Sequence, residues 1–210
     1  MAYFPFFIDL AGRQGLIVGG GQVALRKVQK LLPYGPRLTV AAPSFAPELR
    51  AMPGLALAQR PFADELLDGM FFAIAATDDP ALNARVAGLC RQRGILVNVV
   101  DDPANCTFLF PALVQRGGLS VGICTGGASP SAAQYLKRQI DGLIPPQFPE
   151  LLAWLAALRG RVKAEIPSEA ARTAVFARMF DECMQKSRCL TEAEVQRLLA
   201  QAAGQKEEQP

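Results

Sequence analysis

Three consecutive glycines, Gly19-Gly20-Gly21, follow the apolar run Gly15-Leu16-Ile17-Val18 and precede a helical pattern that opens at Gln22. A turn of this composition between a buried strand and a helix lets backbone N–H groups approach a phosphate, and the helix dipole favours negative charge there. The spacing reads G-x-G-x-x-A at Gly19, Gly21 and Ala24. That motif is weak alone, but here it stands in the strand-turn-helix setting that a dinucleotide site needs.

The rest of the first half repeats the alternation of short apolar runs with helical segments, which predicts a parallel sheet covered by helices. Strands are expected at Gly15–Val18, Arg37–Ala41, Leu55–Gln59, Met70–Ala76 and Ile95–Val100. Helices are expected over Gln22–Leu32, from Ala46, and over Ala81–Arg93, with Thr77-Asp78-Asp79 offering the cap of the last, Thr77 and Asp78 foremost, and Pro80 in its first turn. The fold class is α/β, a Rossmann-type doubly wound domain.

Beyond it, Thr107–Val114 and Leu119–Thr125 read as a hairpin turning at Gln115-Arg116-Gly117-Gly118. Ser129 or Ser131 caps a helix to about Leu143, and Pro145, Pro146 and Pro149 mark a linker. Three helices follow, Glu150–Val162, Ser168–Gln185 and Thr191 to about Ala203, the last opening on the capping box Thr191-Glu192-Ala193-Glu194. The tail from Gly204 is expected to fray.

Several function classes fall away on composition. A net charge of +3 without a dense basic cluster argues against nucleic acid. No apolar run approaches the roughly 18 residues of a membrane span, and the start MAYFPFFIDLAGRQ has neither the basic region nor the cleavage site of a secretory signal. The five cysteines, at 90, 106, 124, 183 and 189, form no CxxC pair, so free thiols in a reducing, cytoplasmic setting are expected and no metal site. Without any histidine, proton transfer falls to carboxylates, Tyr, Lys or Cys.

Ligands of open parallel sheets bind outside the carboxyl ends of the strands. That rule gathers Gly19, Gly20, Gly21 and Gln22 with Ala42, Pro43 and Ser44, with Thr77–Asp79, and with Asn98–Asp102. The acid that should end the second strand and bind the adenosine ribose is replaced by Ala42-Pro43-Ser44. Ser44 offers a weaker contact, and Arg26, Lys27 or Arg50 would tolerate a 2′-phosphate, so the choice between NAD and NADP stays open. Asp101 is a catalytic candidate, Asp102 reads as a turn residue before Pro103, and Cys124 reads as core on an apolar strand.

The chain resembles the precorrin-2 dehydrogenase family, which also forms the N-terminal part of bacterial sirohaem synthases. The resemblance rests on FPFFIDL at 4–10, VGGGQVALRK at 18–27, LTVAAP at 38–43, AIAATDDPALN at 73–83, NVVDDP at 98–103, FLFPALVQRGGLSVGICTGGASPS at 108–131 and LIPP at 143–146. It implies oxidation of precorrin-2 to sirohydrochlorin with NAD, by a homodimer with a Rossmann domain (1–113), a dimerisation region (114–146) and a small helical domain (147–210). It also implies that Gly21, Gln22, Val23, Pro43 and Ser44 contact NAD, and that Asp101 falls at the position of the family's essential aspartate.

Basic groups should help to hold a polycarboxylate substrate, and Arg116, Lys137 and Arg138 are candidates, with Asn98 and Cys124 nearby in the pattern. Two departures stand out: Cys124 replaces the family's usual serine, and Gln134 stands where an arginine is usual. Some members also insert iron into sirohydrochlorin, using the same aspartate; dehydrogenase activity alone is the favoured reading. A non-catalytic NAD-binding regulatory module is the alternative from another class.

Overall fold

The computed structural model describes residues 3–204, so the tail expected to fray lies, from residue 205 on, outside the described residues. The chain divides into two compact units between Phe110 and Pro111. In the first, strands β1 (Gln14–Val18), β2 (Arg37–Ala41), β3 (Leu55–Ala58), β4 (Phe72–Ala75) and β5 (Leu96–Val99) form one parallel sheet in the order β3-β2-β1-β4-β5.

Both faces of its central strands β1 and β4 are buried, which is why they read as continuous apolar runs rather than alternating ones. On one face Ile17, Leu38, Val40 and Ile74 pack with Ala24, Leu25, Val28 and Leu31, the apolar stripe of α1 (Gln22–Leu31), and with Leu49 of α2 (Pro47–Ala51). On the other, Leu16, Val18, Ala73 and Val97 pack with Val86, Ala87 and Cys90 of α3 (Pro80–Gln92). The cap of α3 is Asp79, not Thr77 or Asp78: its carboxylate accepts from the N–H groups of Ala81 at 2.9 Å and Leu82 at 3.2 Å.

Residues 107–111, expected to open a strand, form none; Thr107 and Phe108 instead cover the free edge of β5, with Thr107 N–H donating to the Val97 carbonyl at 2.8 Å and side chains adding to it. The Thr107 hydroxyl accepts from Val97 N–H at 2.7 Å, and Asn98 Nδ2 donates to the Phe108 carbonyl at 3.0 Å. An edge satisfied in this way offers no ladder to another strand.

In the second unit the hairpin is shorter than expected, β6 (Ala112–Arg116) and β7 (Leu119–Ile123), and turns on Gly117-Gly118 alone. Cys124 lies just past β7 and is exposed, not part of the core. Helix α4 (Pro130–Leu143) is capped by Ser129, and Pro149 sits in the first turn of α5 (Phe148–Glu165), so the expected linker shrinks to residues 144–147. A missing N–H costs nothing in a first turn. Helices α6 (Glu169–Lys186) and α7 (Glu192–Gly204) close a core around Leu151, Val162, Met179, Val195 and Leu198.

The capping box forms, with Thr191 N–H donating to Glu194 at 2.7 Å. Arg188 and Lys186 pair with the same carboxylate, at 2.9 and 2.7 Å, and with the Thr191 N–H they hold it well below the usual carboxylate range. A depressed carboxylate contributes stability above its unfolded pKa and loses it as pH falls through the folded one. The melting temperature is therefore expected to drop as pH is lowered from about 5 to 3, and Glu194→Gln to flatten that drop in thermal melts; an equally steep drop in the variant would refute the assignment.

Candidate functional site

The strand register builds the site. Val18 of β1 stands beside Ala41 of β2 and Ala75 of β4, and Ala75 stands beside Val99 of β5, so four strands end level. Their following residues therefore leave on one edge, held by Gly19 N–H to Ala41 O at 2.9 Å, Ala76 N–H to Val18 O at 2.8 Å and Val100 N–H to Ala75 O at 3.0 Å. Strand order reverses direction between β1 and β4, and the crevice of an open sheet lies at such a point. This edge carries Gly19–Gln22, Ala42–Ser44, Thr77 and Asp101.

The three glycines have different reasons. Gly19 has φ +126°, and a Cβ there would strike the carbonyl of Ala76; a Cβ on Gly20 would strike the carbonyl of Ser44, whose loop is tied back by Ala46 N–H to Gly20 O at 2.7 Å. A Cβ on Gly21 would meet no atom within 4 Å. Gly21 is the N-cap residue of α1 and provides no side-chain cap, and the first turn carries no acidic residue. The start of α1 thus has neither a side-chain cap nor an acidic residue at the positive end of the helix, an arrangement that can take a phosphate.

Around that cradle Ala42 is buried, Pro43 and Ser44 are exposed, and Gln22 donates to Glu48 of α2 at 3.5 Å. Thr77 is turned inward: its hydroxyl lies 2.7 Å from Asn83 Oδ1, and its carbonyl accepts from Asn83 Nδ2 at 2.9 Å. Arg50 lies over the Phe45 ring, 5.5 Å from its centroid, and donates to Gln59 at 3.3 Å; Arg26 is exposed.

The two acids after β5 part company. Asp102 is spent locally, accepting from Asn105 N–H at 3.3 Å and Asn105 Nδ2 at 2.6 Å. Asp101 is exposed, takes φ +59°, a conformation uncommon outside glycine, and has no hydrogen bond or ion pair among the described residues. The loop is pinned by Cys106, whose sulfur accepts from Val99 N–H at 3.1 Å and whose thiol is pushed up by burial. Asn98 is 5 % exposed and anchors Phe108, with its Oδ1 left unpaired.

Sequence reasoning missed where Lys27 lies. Lys27 leaves α1 toward β5, not toward the end of β2, and its ammonium stands 3.9 Å from the centroid of the Phe110 ring. Position 27 flanks the buried stripe, three residues after Ala24 and four before Leu31, a signal that helical periodicity contains.

The remaining candidates lie in the second unit. Arg116 is paired with Asp141 at 2.9 Å, and Cys124 accepts weakly from Gly126 N–H at 3.4 Å. Lys137, half-buried, and Arg138, exposed, have no ion pair among the described residues of α4 or elsewhere.

A level-ended parallel sheet, a glycine turn and an uncapped helix start define a dinucleotide-binding domain of Rossmann type. Residues 6–112 match the family described as "Putative NAD(P)-binding", and the chain belongs to it. The chain is 42 % identical over 175 residues to a siroheme synthase of Sodalis glossinidius, covering 82 % of this chain and 37 % of that protein. It is 40 % identical over 183 residues to the siroheme synthase of Escherichia coli O1:K1, covering 86 % of this chain and 40 % of that protein. The chain thus spans about two fifths of these curated relatives. Among solved structures it is similar to SirC, precorrin-2 dehydrogenase, with a TM-score of 0.73 and 25 % identity over 96 % of this chain and 100 % of that one.

Proposed function

We propose that this protein is an NAD-dependent precorrin-2 dehydrogenase, forming sirohydrochlorin for sirohaem synthesis. The observation that carries the reading is the unpaired Asp101 carboxylate on the same sheet edge as the Gly21 cradle, in a chain similar along its length to a precorrin-2 dehydrogenase. The oxidation takes a hydride and a proton from the reduced macrocycle. NAD, when bound, supplies the hydride acceptor. Gly21, Gln22 and Val23 hold its phosphates through the start of α1, and Ala42, Pro43 and Ser44 border its adenosine ribose. Asp101 takes up the proton.

Of the basic residues assigned to the substrate's carboxylates, Lys137 and Arg138 are the two not already engaged, whereas Arg116 is held by Asp141. The working form in this reading is a cytoplasmic homodimer joined through residues 114–146, to which Tyr135, Leu136 and Leu143 of α4 contribute large exposed apolar side chains. The five cysteines are free, in keeping with a reducing compartment; no described helix is long and apolar enough to cross a membrane.

The test is one preparation, sized by light scattering and then given enzymatically generated precorrin-2 with NAD or NADP. The expected result is a dimer mass and the absorbance of sirohydrochlorin with NAD. No turnover with either nucleotide would sink the activity, and a monomer mass would sink the dimer.

A further inference from the structure

Lys27 is a half-buried cation whose ammonium has three donors and no hydrogen bond or ion pair among the described residues. Burial lowers its pKa, and Lys30 and Arg26 of its own helix push the same way; Cys106 and Asp101, from the loop after β5, act against them. An aromatic face compensates a desolvated cation only in part, and an ammonium out of water without an anion is costly. The Lys27 ammonium thus keeps its donors for an acidic ligand.

Where that ligand would stand is set by the neighbours. Cys106 is bonded to Val99 at the end of β5, and Asp101 follows two residues later; Phe110 closes the other side. Lys27 lies five residues into α1, about 7 Å along the axis from the phosphate cradle at Gln22. It faces the β5 side of the crevice, whereas the adenosine half of a dinucleotide lies toward β2. A cofactor phosphate therefore fits it poorly, and an acidic substituent of a substrate held against Asp101 fits it well.

We infer that Lys27 is a substrate-binding residue that takes one carboxylate of the polyacidic macrocycle. The inference rests on the dehydrogenase reading for the identity of the macrocycle, but the carboxylate site is testable without turnover. Lys27→Met keeps the stem over Phe110 and removes the charge; Lys27→Arg keeps the charge; Lys27→Gln serves if the methionine variant does not fold.

With precorrin-2 and NAD, Lys27→Met is expected to raise KM about 10- to 100-fold, as loss of a charged hydrogen bond does. The kcat should change little, the Kd for NAD should stay at the wild-type value, and Lys27→Arg should recover most of the loss. In parallel, uroporphyrin III, a polycarboxylate tetrapyrrole, is titrated by absorbance into wild-type and variant protein. Binding that weakens in Lys27→Met supports the carboxylate site even if wild-type protein turns over no precorrin-2, which would remove only the dehydrogenase reading. Unchanged KM and unchanged uroporphyrin affinity overturn the inference, as does a wild-type protein that binds no uroporphyrin. A rise in the Kd for NAD instead would assign Lys27 to a cofactor phosphate and overturn it equally.

Discussion

Asp101→Ala is expected to lower kcat for precorrin-2 oxidation by about 100- to 10,000-fold, the range a positioned proton acceptor contributes. The Kd for NAD should be unchanged, because the cradle belongs to α1 and the Gly19–Gly21 turn. The neighbouring acid cannot substitute, since both oxygens of Asp102 are committed to Asn105. Asp101→Asn is the cleaner control: asparagine tolerates the φ of +59° at this position, so only the charge is lost. Steady-state kinetics with a parallel NAD titration reads both. A variant that keeps near-wild-type kcat would remove Asp101 from the chemistry.

The second large effect separates two glycines two residues apart. Gly19→Ala places a methyl group against the Ala76 carbonyl at φ +126°, so it should destabilise the fold by roughly 3 kcal/mol or more. In thermal melts that corresponds to about 10 °C for a chain of this size. Gly21→Ser should leave stability unchanged or slightly higher, because a serine at this N-cap satisfies an N–H group that the native helix leaves open. Its side chain would occupy the cradle, and NAD affinity should fall at least about tenfold. Melting and fluorescence titration of the two variants give opposite patterns. Wild-type NAD affinity in Gly21→Ser would move the phosphates away from α1.

Much of the first unit was legible because its central strands are buried on both faces and bounded by turn residues. Arg37–Ala41 and the Gln22 helix start fall where periodicity and Pro or Gly punctuation place them. Misreadings arose where side chains intervene in backbone pairing. At the β5 edge Thr107 and Phe108 N–H groups share the Val97 carbonyl while the Thr107 hydroxyl and Asn98 amide take the neighbouring groups, so a run with strand composition stays irregular. Thr77 looks like a cap but spends its hydroxyl on Asn83, leaving Asp79 to cap α3.

The site divides along the same line. The glycine turn, the absence of an acid after β2 and the candidacy of Asp101 over Asp102 are local properties, carried by residue type and spacing, and the linear chain contains them. Which acid stays unpaired, why Gly19 and Gly20 serve packing while Gly21 has open space beside it, and the meeting of Lys27 with Phe110 depend on contacts between residues up to 83 positions apart. Pattern and propensity report one segment at a time. Only the level ends of four parallel strands bring those segments to a single edge.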